Sequence, residues 1–391
     1  MNETQQYFLH AVSCALKTSA IEAPTASIDR KKLLQLAQEQ TLTAVLYGTL
    51  QNVLPGPERN LWRTLALRDA ALQIQHTKTF LKMYQALTER GFQPLIVKGL
   101  LCRQTYPEPD ARVSSDEDLY IPRADYPPFH TALMELGFSS EEPDYQNAHE
   151  ARYYLREFLV EGHWELFPQE NSALNVLNTL QDGFWQRSRL QDVCGAPLRV
   201  LEPSDHMTFL LLHTFKHFIN SGVGIRQICD VVQWSKAYEI DWERVKEAMR
   251  LARAEHFAAA VFDAGEKYFG MTPPAGWVRA DCTALLEDAL EGGVYGSSTA
   301  SRKHSGSMTL AAVEDANRAS RTKSLLRTLF PNRAVMEMSF PWVKKGIMLL
   351  PAAWIVRIWR YLKSRRQGNS AAESLQIGTE RLELLREYKI I

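Results

Sequence analysis

The stretch Val113-Ser-Ser-Asp-Glu-Asp-Leu-Tyr-Ile121 decides the fold and carries the candidate chemistry. Its second half is apolar and partly β-branched, which favours a strand. Because side chains alternate between the two faces of a strand, Asp116 and Asp118 share one face and Glu117 lies on the other. Two carboxylates on one face are ligands that Mg²⁺ or Mn²⁺ accepts. The DxD pair alone is a weak signal, since solvated strand ends and turns produce it too.

A short apolar segment, residues 94–99, precedes this stretch and predicts a strand that ends in Lys98 and Gly99. Lys98 has two open roles: it can neutralise triphosphate charge, or it can cap a strand at the surface. The polar loop that follows contains Arg112. Its guanidinium can clamp a phosphate through two N–H donors, or it can pair with Asp110 or another acid.

Alternating, aromatic-rich segments at 151–157 and 158–167 predict two further strands. The second of them brings Glu161, His163 and Glu165 onto one face. Either glutamate can supply a third carboxylate, and we favour Glu161 because it stands two residues before His163. The imidazole of His163 can orient Glu161 or touch a nucleotide.

Helical spacing dominates the rest of the chain, where apolar residues recur every three or four positions. The Gly/Ser-rich run 295–307 has too few apolar groups to offset its ordering entropy. The fold class is therefore α+β, a small mixed sheet flanked by large N- and C-terminal helical regions. We predict an N-terminal helical region (1–92), a sheet-containing core (93–202), a helical region (203–293), a flexible linker (294–307) and a C-terminal helical region (308–391).

Composition narrows the function classes. Lys plus Arg and Asp plus Glu number 45 each, so no basic excess indicates a nucleic acid, which stays a possible but not favoured partner. Five scattered cysteines without a CxxC pair argue against disulfides and structural zinc and fit a reducing cytoplasm. The apolar run 347–356 is too short for a transmembrane segment, which takes about 20 residues. Basic residues around it, from Lys344 to Arg366, leave contact with a membrane surface open.

Three histidines, His206, His213 and His217, are spaced to share one face of a predicted helix. The pattern lacks the interposed glutamate of HExxH and any nearby cysteine ligand. It therefore favours packing or substrate contact over a zinc site.

The order of these parts resembles the nucleotidyltransferase superfamily, in which a strand and a Gly-containing turn precede a [DE]x[DE] strand and a later strand gives a third carboxylate. The chain is more closely similar to a bacterial family of uncharacterised nucleotidyltransferases. The similar segments are Val97-Lys-Gly99, Arg112 with the DxDL run to Leu119, the Glu-Gly-His-Trp run at 161–164, and stretches at 213–217, 225–232, 241–242, 329–331 and 349–355.

The resemblance implies a metal-dependent enzyme that transfers an NMP from an NTP to an unidentified acceptor hydroxyl or phosphate and releases pyrophosphate. Asp116, Asp118 and Glu161 would be its catalytic residues and would hold Mg²⁺ or Mn²⁺. The implied substrate-binding residues are Lys98, Gly99, Arg112, Ser114, Ser115 and His163.

One departure from the superfamily lies at the turn, which usually carries Gly-Ser but here reads Gly99-Leu100. Lys98, Ser114 or Ser115 would have to replace the missing hydroxyl at the phosphates. The departure keeps open a nucleotide-binding or scaffold protein without turnover. An RNA-modifying, toxin-like nucleotidyltransferase is a third reading, which the neutral net charge disfavours.

Overall fold

The computed structural model describes residues 1–146, 148–169, 172–294 and 371–391, together with 309–310, 312–313, 336, 340, 343 and 349–356. The predicted linker lies outside the described residues except for Val294. The basic residues 344–345 and 357–366 also lie outside them.

The first part of the chain is helical, as predicted. Its helices are α1 (Glu3–Leu16), α2 (Arg30–Glu39), α3 (Thr43–Leu50) and α4 (Gly56–Glu89). Helix α4 is 34 residues long and is joined to the sheet by Tyr84. The Tyr84 hydroxyl donates to the carbonyl of Pro94 at 2.9 Å and accepts from the backbone N–H of Arg199 at 2.9 Å. This buried contact fixes α4 against the strands that begin and end the core.

Six strands form one mixed sheet in the order β3-β4-β2-β1-β6-β5. They are β1 (Leu95–Ile96), β2 (Glu117–Tyr120), β3 (Glu150–Leu155), β4 (Phe158–His163), β5 (Arg189–Val193) and β6 (Ala196–Val200). Strand β2 runs antiparallel to β1 and parallel to β4. The predicted α+β class is confirmed.

Strands β5 and β6 form a hairpin that the sequence reading did not predict. Val193 pairs with Ala196 across a two-residue turn, and both turn residues, Cys194 and Gly195, have positive φ. Turns of this type match the twist of the flanking strands. The hairpin widens the sheet on the side away from the DxD strand.

Helices cover the sheet and continue beyond it. Between the strands lie α5 (Leu100–Arg103), α6 (Tyr126–Glu135), α7 (Ser172–Asn175) and α8 (Gln181–Arg187). After the sheet come α9 (Pro203–Asn220), α10 (Ile225–Ala237), α11 (Trp242–Leu251), α12 (Glu255–Ala264), α13 (Thr283–Gly292) and α14 (Ala371–Glu387). Among the described residues, no helix has the length and apolar content needed to cross a membrane.

The turn between β1 and α5 is built around the buried carboxylate of Glu117. One oxygen of Glu117 accepts from the backbone N–H of Leu100 at 2.8 Å, and the other accepts from the guanidinium of Arg103 at 2.5 Å. Gly99 has φ +55, and a Cβ there would lie 2.0 Å from the Glu117 carboxylate. Only glycine therefore fits this turn. Arg103 also donates to Thr77 of α4 at 2.7 Å, which ties the turn to the long helix.

We predict that Glu117→Gln lowers the free energy of unfolding by about 3–5 kcal/mol, because it leaves the buried Arg103 charge without an anion. Denaturant unfolding followed by tryptophan fluorescence measures the loss. The exposed Glu135→Gln variant is the control and should stay within about 0.5 kcal/mol of the parent.

The double variant Arg103→Met/Glu117→Met should be less destabilised than the two single changes added together, because it removes both buried charges. A Glu117→Gln loss below about 1 kcal/mol would contradict this account of the turn.

Candidate active site

Asp118 and Glu161 lie side by side on the parallel strands β2 and β4, where they are paired in register. Asp116 comes directly before β2. The ammonium of Lys98, at the end of β1, lies 3.0 Å from Asp118 Oδ1 and 3.4 Å from Asp116 Oδ2. The fold therefore brings together the lysine, both DxD carboxylates and Glu161.

His163 contacts Asp118 and Glu150 directly. Its Nε2 lies 3.2 Å from Asp118 Oδ1, and its Nδ1 lies 3.4 Å from a carboxylate oxygen of Glu150. Gly162 lets β4 approach helix α6 closely here, since a Cβ at this position would lie 2.6 Å from the hydroxyl of Tyr126. His163 is thereby fixed behind Asp118.

The two oxygens of Asp118 have different surroundings. Oδ1 faces both Lys98 and His163. Oδ2 is buried, and no group in the described part of the chain gives it a hydrogen bond. A buried carboxylate oxygen without a donor is costly, so this atom fits a cation ligand. Ligand atoms of Asp118, Glu161 and His163 also lie within 4.8 Å of one another. The residues present thus fit a divalent metal ion.

The surroundings of Glu161 and Asp116 shift the pKa values of their carboxyl groups in opposite directions. Burial and the neighbouring carboxylates of Asp118, Glu150 and Asp116 raise the pKa of Glu161 to about 7. Burial also acts to raise the pKa of Asp116, but Lys98 and the hydroxyl of Ser115 outweigh it and lower that pKa to about 2. Asp116 is therefore ionised at neutral pH, whereas Glu161 loses its proton at a higher pH than an ordinary glutamic acid does.

Arg112 is buried and directs two donors at the carboxylate of Asp230 on α10, at 3.1 and 2.5 Å. A further N–H of the same guanidinium donates to Ser114 Oγ. The sequence left Arg112 either a phosphate clamp or an ion pair with an acid. The structure shows the ion pair, and the acid lies 118 positions away in the chain. Ser115 is exposed and donates to Asp116 Oδ1 at 3.0 Å.

A polar cavity lies between the Lys98-Gly99 turn and helices α9 and α10. Its lining includes Lys98, Asp116, Arg112, His213, Thr214 and Arg226. His213 Nε2 lies 3.4 Å from the Lys98 ammonium and 3.0 Å from His217 Nε2. Burial and the nearby Lys98 charge hold the pKa of His213 well below its usual value, so its imidazole is neutral. His206 is instead fully buried and lies 3.9 Å from the Trp234 ring, in a packing role.

The expected placement of Glu165 is wrong. Strand β4 ends at His163, so Glu165 lies beyond it and the alternation of faces does not reach it. Its carboxylate pairs with Arg123 at 3.2 Å and accepts from Asn178 at 3.0 Å. Of the two candidate glutamates, only Glu161 shares the strand register of Asp118.

Three residues near the site were missed from sequence: His149, Glu150 and Arg152. The β3–β4 register pairs Glu150 with His163 and Arg152 with Glu161. The Arg152 guanidinium lies 3.0 Å from Glu161. The signal was the two-residue turn at 156–157, which fixes this register. Had the hairpin been recognised, counting back from the turn would have found all three.

Comparison with known proteins bears on the same region. The sequence model of a family described as "Uncharacterised nucleotidyltransferase" matches residues 26–270. The chain belongs to this family. The matched region of this nucleotidyltransferase includes the sheet and helices α9 to α12. Two stretches that the sequence analysis counted toward the resemblance, 329–331 and 349–355, lie beyond the matched region.

Curated proteins and solved structures add little for this nucleotidyltransferase. No curated protein matches its sequence. A solution structure of the antibiotic-resistance factor ANT(2'')-Ia is similar at 15% identity with a TM-score of 0.33. The similar region covers 47% of this chain and 94% of that protein.

We predict that metal binding releases protons in a pH-dependent way, because Glu161 must ionise before it can bind a cation. Because that pKa is raised to about 7, more protons should be released per Mn²⁺ at pH 6 than at pH 8. Calorimetric titration in buffers of different ionisation enthalpy counts these protons. The Glu165→Gln variant is the control and should match the parent. Equal proton release at both pH values would rule out the raised pKa of Glu161.

Proposed function

We propose that the chain is a metal-dependent enzyme that transfers an NMP from an NTP to an acceptor hydroxyl or phosphate, with Asp116, Asp118 and Glu161 as metal ligands. The observation that carries the proposal is the state of Asp118. One of its oxygens is engaged by Lys98 and His163, while the other is buried without a donor among the described residues, on a residue paired in register with Glu161. Mg²⁺ or Mn²⁺ fits this all-oxygen set.

A bound divalent cation would supply charge neutralisation for the triphosphate and would lower the pKa of an acceptor hydroxyl. Lys98 then has a second task. In the free protein its ammonium balances Asp116 and Asp118. With a cation at those carboxylates, the ammonium would be available to a triphosphate, since Lys98 also lines the polar cavity.

The turn at Gly99-Leu100 contributes differently from the superfamily pattern. The Leu100 N–H, a donor of the kind that meets phosphates elsewhere, is already used by Glu117. Ser114 Oγ accepts from Arg112. Ser115, exposed beside Asp116, is the hydroxyl best placed to replace the turn serine. Arg112 acts through the loop that it fixes to Asp230, and a direct phosphate clamp would require it to leave that carboxylate.

In the proposed reaction the acceptor oxygen forms a bond to the α-phosphorus of the NTP. The bond from that phosphorus to its bridging oxygen breaks, and pyrophosphate leaves with the electron pair. A hydroxyl acceptor releases its proton to the solvent in the same reaction. His213 lines the cavity as a neutral imidazole and can contact the substrate.

Five unpaired cysteines support the proposed cytoplasmic location. A non-catalytic nucleotide-binding protein and an RNA-modifying enzyme are the alternatives that the assays below decide between.

We predict that the protein releases pyrophosphate from an NTP only when Mg²⁺ or Mn²⁺ and an acceptor are both present. Incubation with each α-³²P-labelled NTP and fractionated cell extract identifies the acceptor by the label it takes. Asp116→Asn and Asp118→Asn should each lose more than the roughly 10- to 100-fold that a supporting metal-site residue costs. Asp125→Asn, an exposed change nearby, is the control and should keep full activity.

Four outcomes would overturn parts of this account. Near-parental activity in either Asn variant would remove the metal site. Orthophosphate in place of pyrophosphate would indicate attack at the γ-phosphorus. Label taken up by RNA would favour the RNA-modifying reading, and metal-dependent NTP binding without pyrophosphate across all fractions would favour the binding protein.

We further predict that Glu161→Gln loses metal-dependent transfer and that Glu165→Gln loses much less, because Glu165 is committed to Arg123 and Asn178. Steady-state rates at saturating NTP, measured over a range of Mg²⁺ concentrations, compare the two variants. Equal and mild effects would remove strand β4 from the metal site.

A further inference from the structure

A second set of metal-ligating atoms converges at the start of β3, next to the candidate active site. His149 Nε2 lies 3.2 Å from Oε2 of Glu150. His163 Nδ1 lies 3.4 Å from the same oxygen. All three ligand atoms lie within 4.8 Å of one another. Two imidazoles and one carboxylate therefore point at a common space.

The only close contact recorded for the two ring nitrogens, within the described ranges, is the Glu150 carboxylate. His149 Nε2 and His163 Nδ1 are both buried, and neither contact has the angles of a well-formed hydrogen bond. The side chain of His163 is only 4% exposed, so water does not compensate it. Atoms bound at about 2.0–2.1 Å around a tetrahedral ion lie roughly 3.4 Å apart. The contacts to Glu150 have the spacing of ligands around one cation.

The second ring nitrogen of His163, Nε2, contacts a carboxylate, as is usual for a histidine that binds a metal through its other nitrogen. A histidine that binds a metal through one nitrogen usually donates its other N–H to a carboxylate, which fixes the ring. His163 Nε2 lies 3.2 Å from Asp118 Oδ1. The donor to Asp118 and the open nitrogen toward Glu150 are thus on opposite sides of one ring.

We propose that His149, Glu150 and His163 bind a second divalent cation, of the Zn²⁺ or Co²⁺ class rather than Mg²⁺. Imidazole nitrogen suits these borderline ions, whereas Mg²⁺ takes oxygen ligands. Three protein ligands leave a fourth position for water or a substrate atom. The ion would fix the His163 ring and, through it, Asp118. This inference rests on the geometry at β3 and β4 and holds whether or not the proposed transfer reaction is correct.

Two positively charged side chains near Glu150 lower the affinity of this site for a metal ion. Arg152 Nη2 lies 3.6 Å from the other oxygen of Glu150. Lys216 of α9 also acts on Glu150. Both charges weaken cation binding at this site, and the recorded contact of Arg152 is to Oε1, not Oε2, of Glu150. The ion should therefore exchange and be removable with a chelator.

The test uses the full chain, stripped with a chelator and then titrated with Co²⁺ in a large excess of Mg²⁺, which occupies the all-oxygen site. We expect one Co²⁺ per chain, with the visible absorption of low-coordinate Co²⁺, and its displacement by Zn²⁺. His149→Ala should weaken Co²⁺ binding at least tenfold and remove that absorption. His256→Ala, a single-histidine change on α12, is the control and should bind Co²⁺ as the parent does.

Absence of Co²⁺ binding under excess Mg²⁺ would overturn the proposal, because Co²⁺ would then be using only the all-oxygen site. Unchanged binding and spectrum in His149→Ala would overturn it as well. Circular dichroism verifies the fold of the variant, and His149→Asn takes its place if the alanine variant does not fold. Mg²⁺ binding to the parent is measured separately, so failure at the second site is distinguishable from failure of the proposed catalytic metal site.

Discussion

The carboxylate of Glu117 is the interaction on which the candidate site depends. It accepts from the Leu100 N–H and from Arg103 inside the protein, and it leaves space only for glycine at position 99. These contacts set the end of β1, and so they place Lys98 against the carboxylates on the other face of β2. The same bonds consume a turn N–H that would otherwise be open to a phosphate. In the proposed reaction, contacts to the phosphates would therefore come from residues other than Leu100.

The helices that follow the sheet contribute side chains to the candidate site in addition to covering the sheet. Asp230 of α10 holds Arg112, and Arg226 of the same helix donates to the carbonyl of Val113 at 2.7 Å. The loop that leads into the DxD strand is therefore fixed from α10. From α9, His213 reaches Lys98. Any change in how these helices pack should move the two aspartates, which makes the family match across both regions physically reasonable.

Local periodicity predicted the fold class and the shared face of Asp116 and Asp118, because a strand repeat of two needs only neighbouring residues. It failed where pairing between distant segments decides. The Arg112 to Asp230 pair depends on how α10 packs, which no local pattern encodes. Glu165 was misplaced because the point at which β4 ends is set by tertiary contacts. Glu150 was missed because the reading assigned strands without assigning their register, although the short turn before β4 contained that information.

Asp116 and Asp118 are proposed to bind the metal ion that carries the nucleotide. The most direct measurement is a crystal structure of the protein with Mn²⁺ and an NTP analogue that cannot be cleaved between the α- and β-phosphates, with the ion located by its anomalous scattering. We predict a Mn²⁺ peak within about 2.3 Å of carboxylate oxygens of both Asp116 and Asp118 and of a phosphate oxygen. Nucleotide density with the Mn²⁺ peak away from both aspartates would contradict the account.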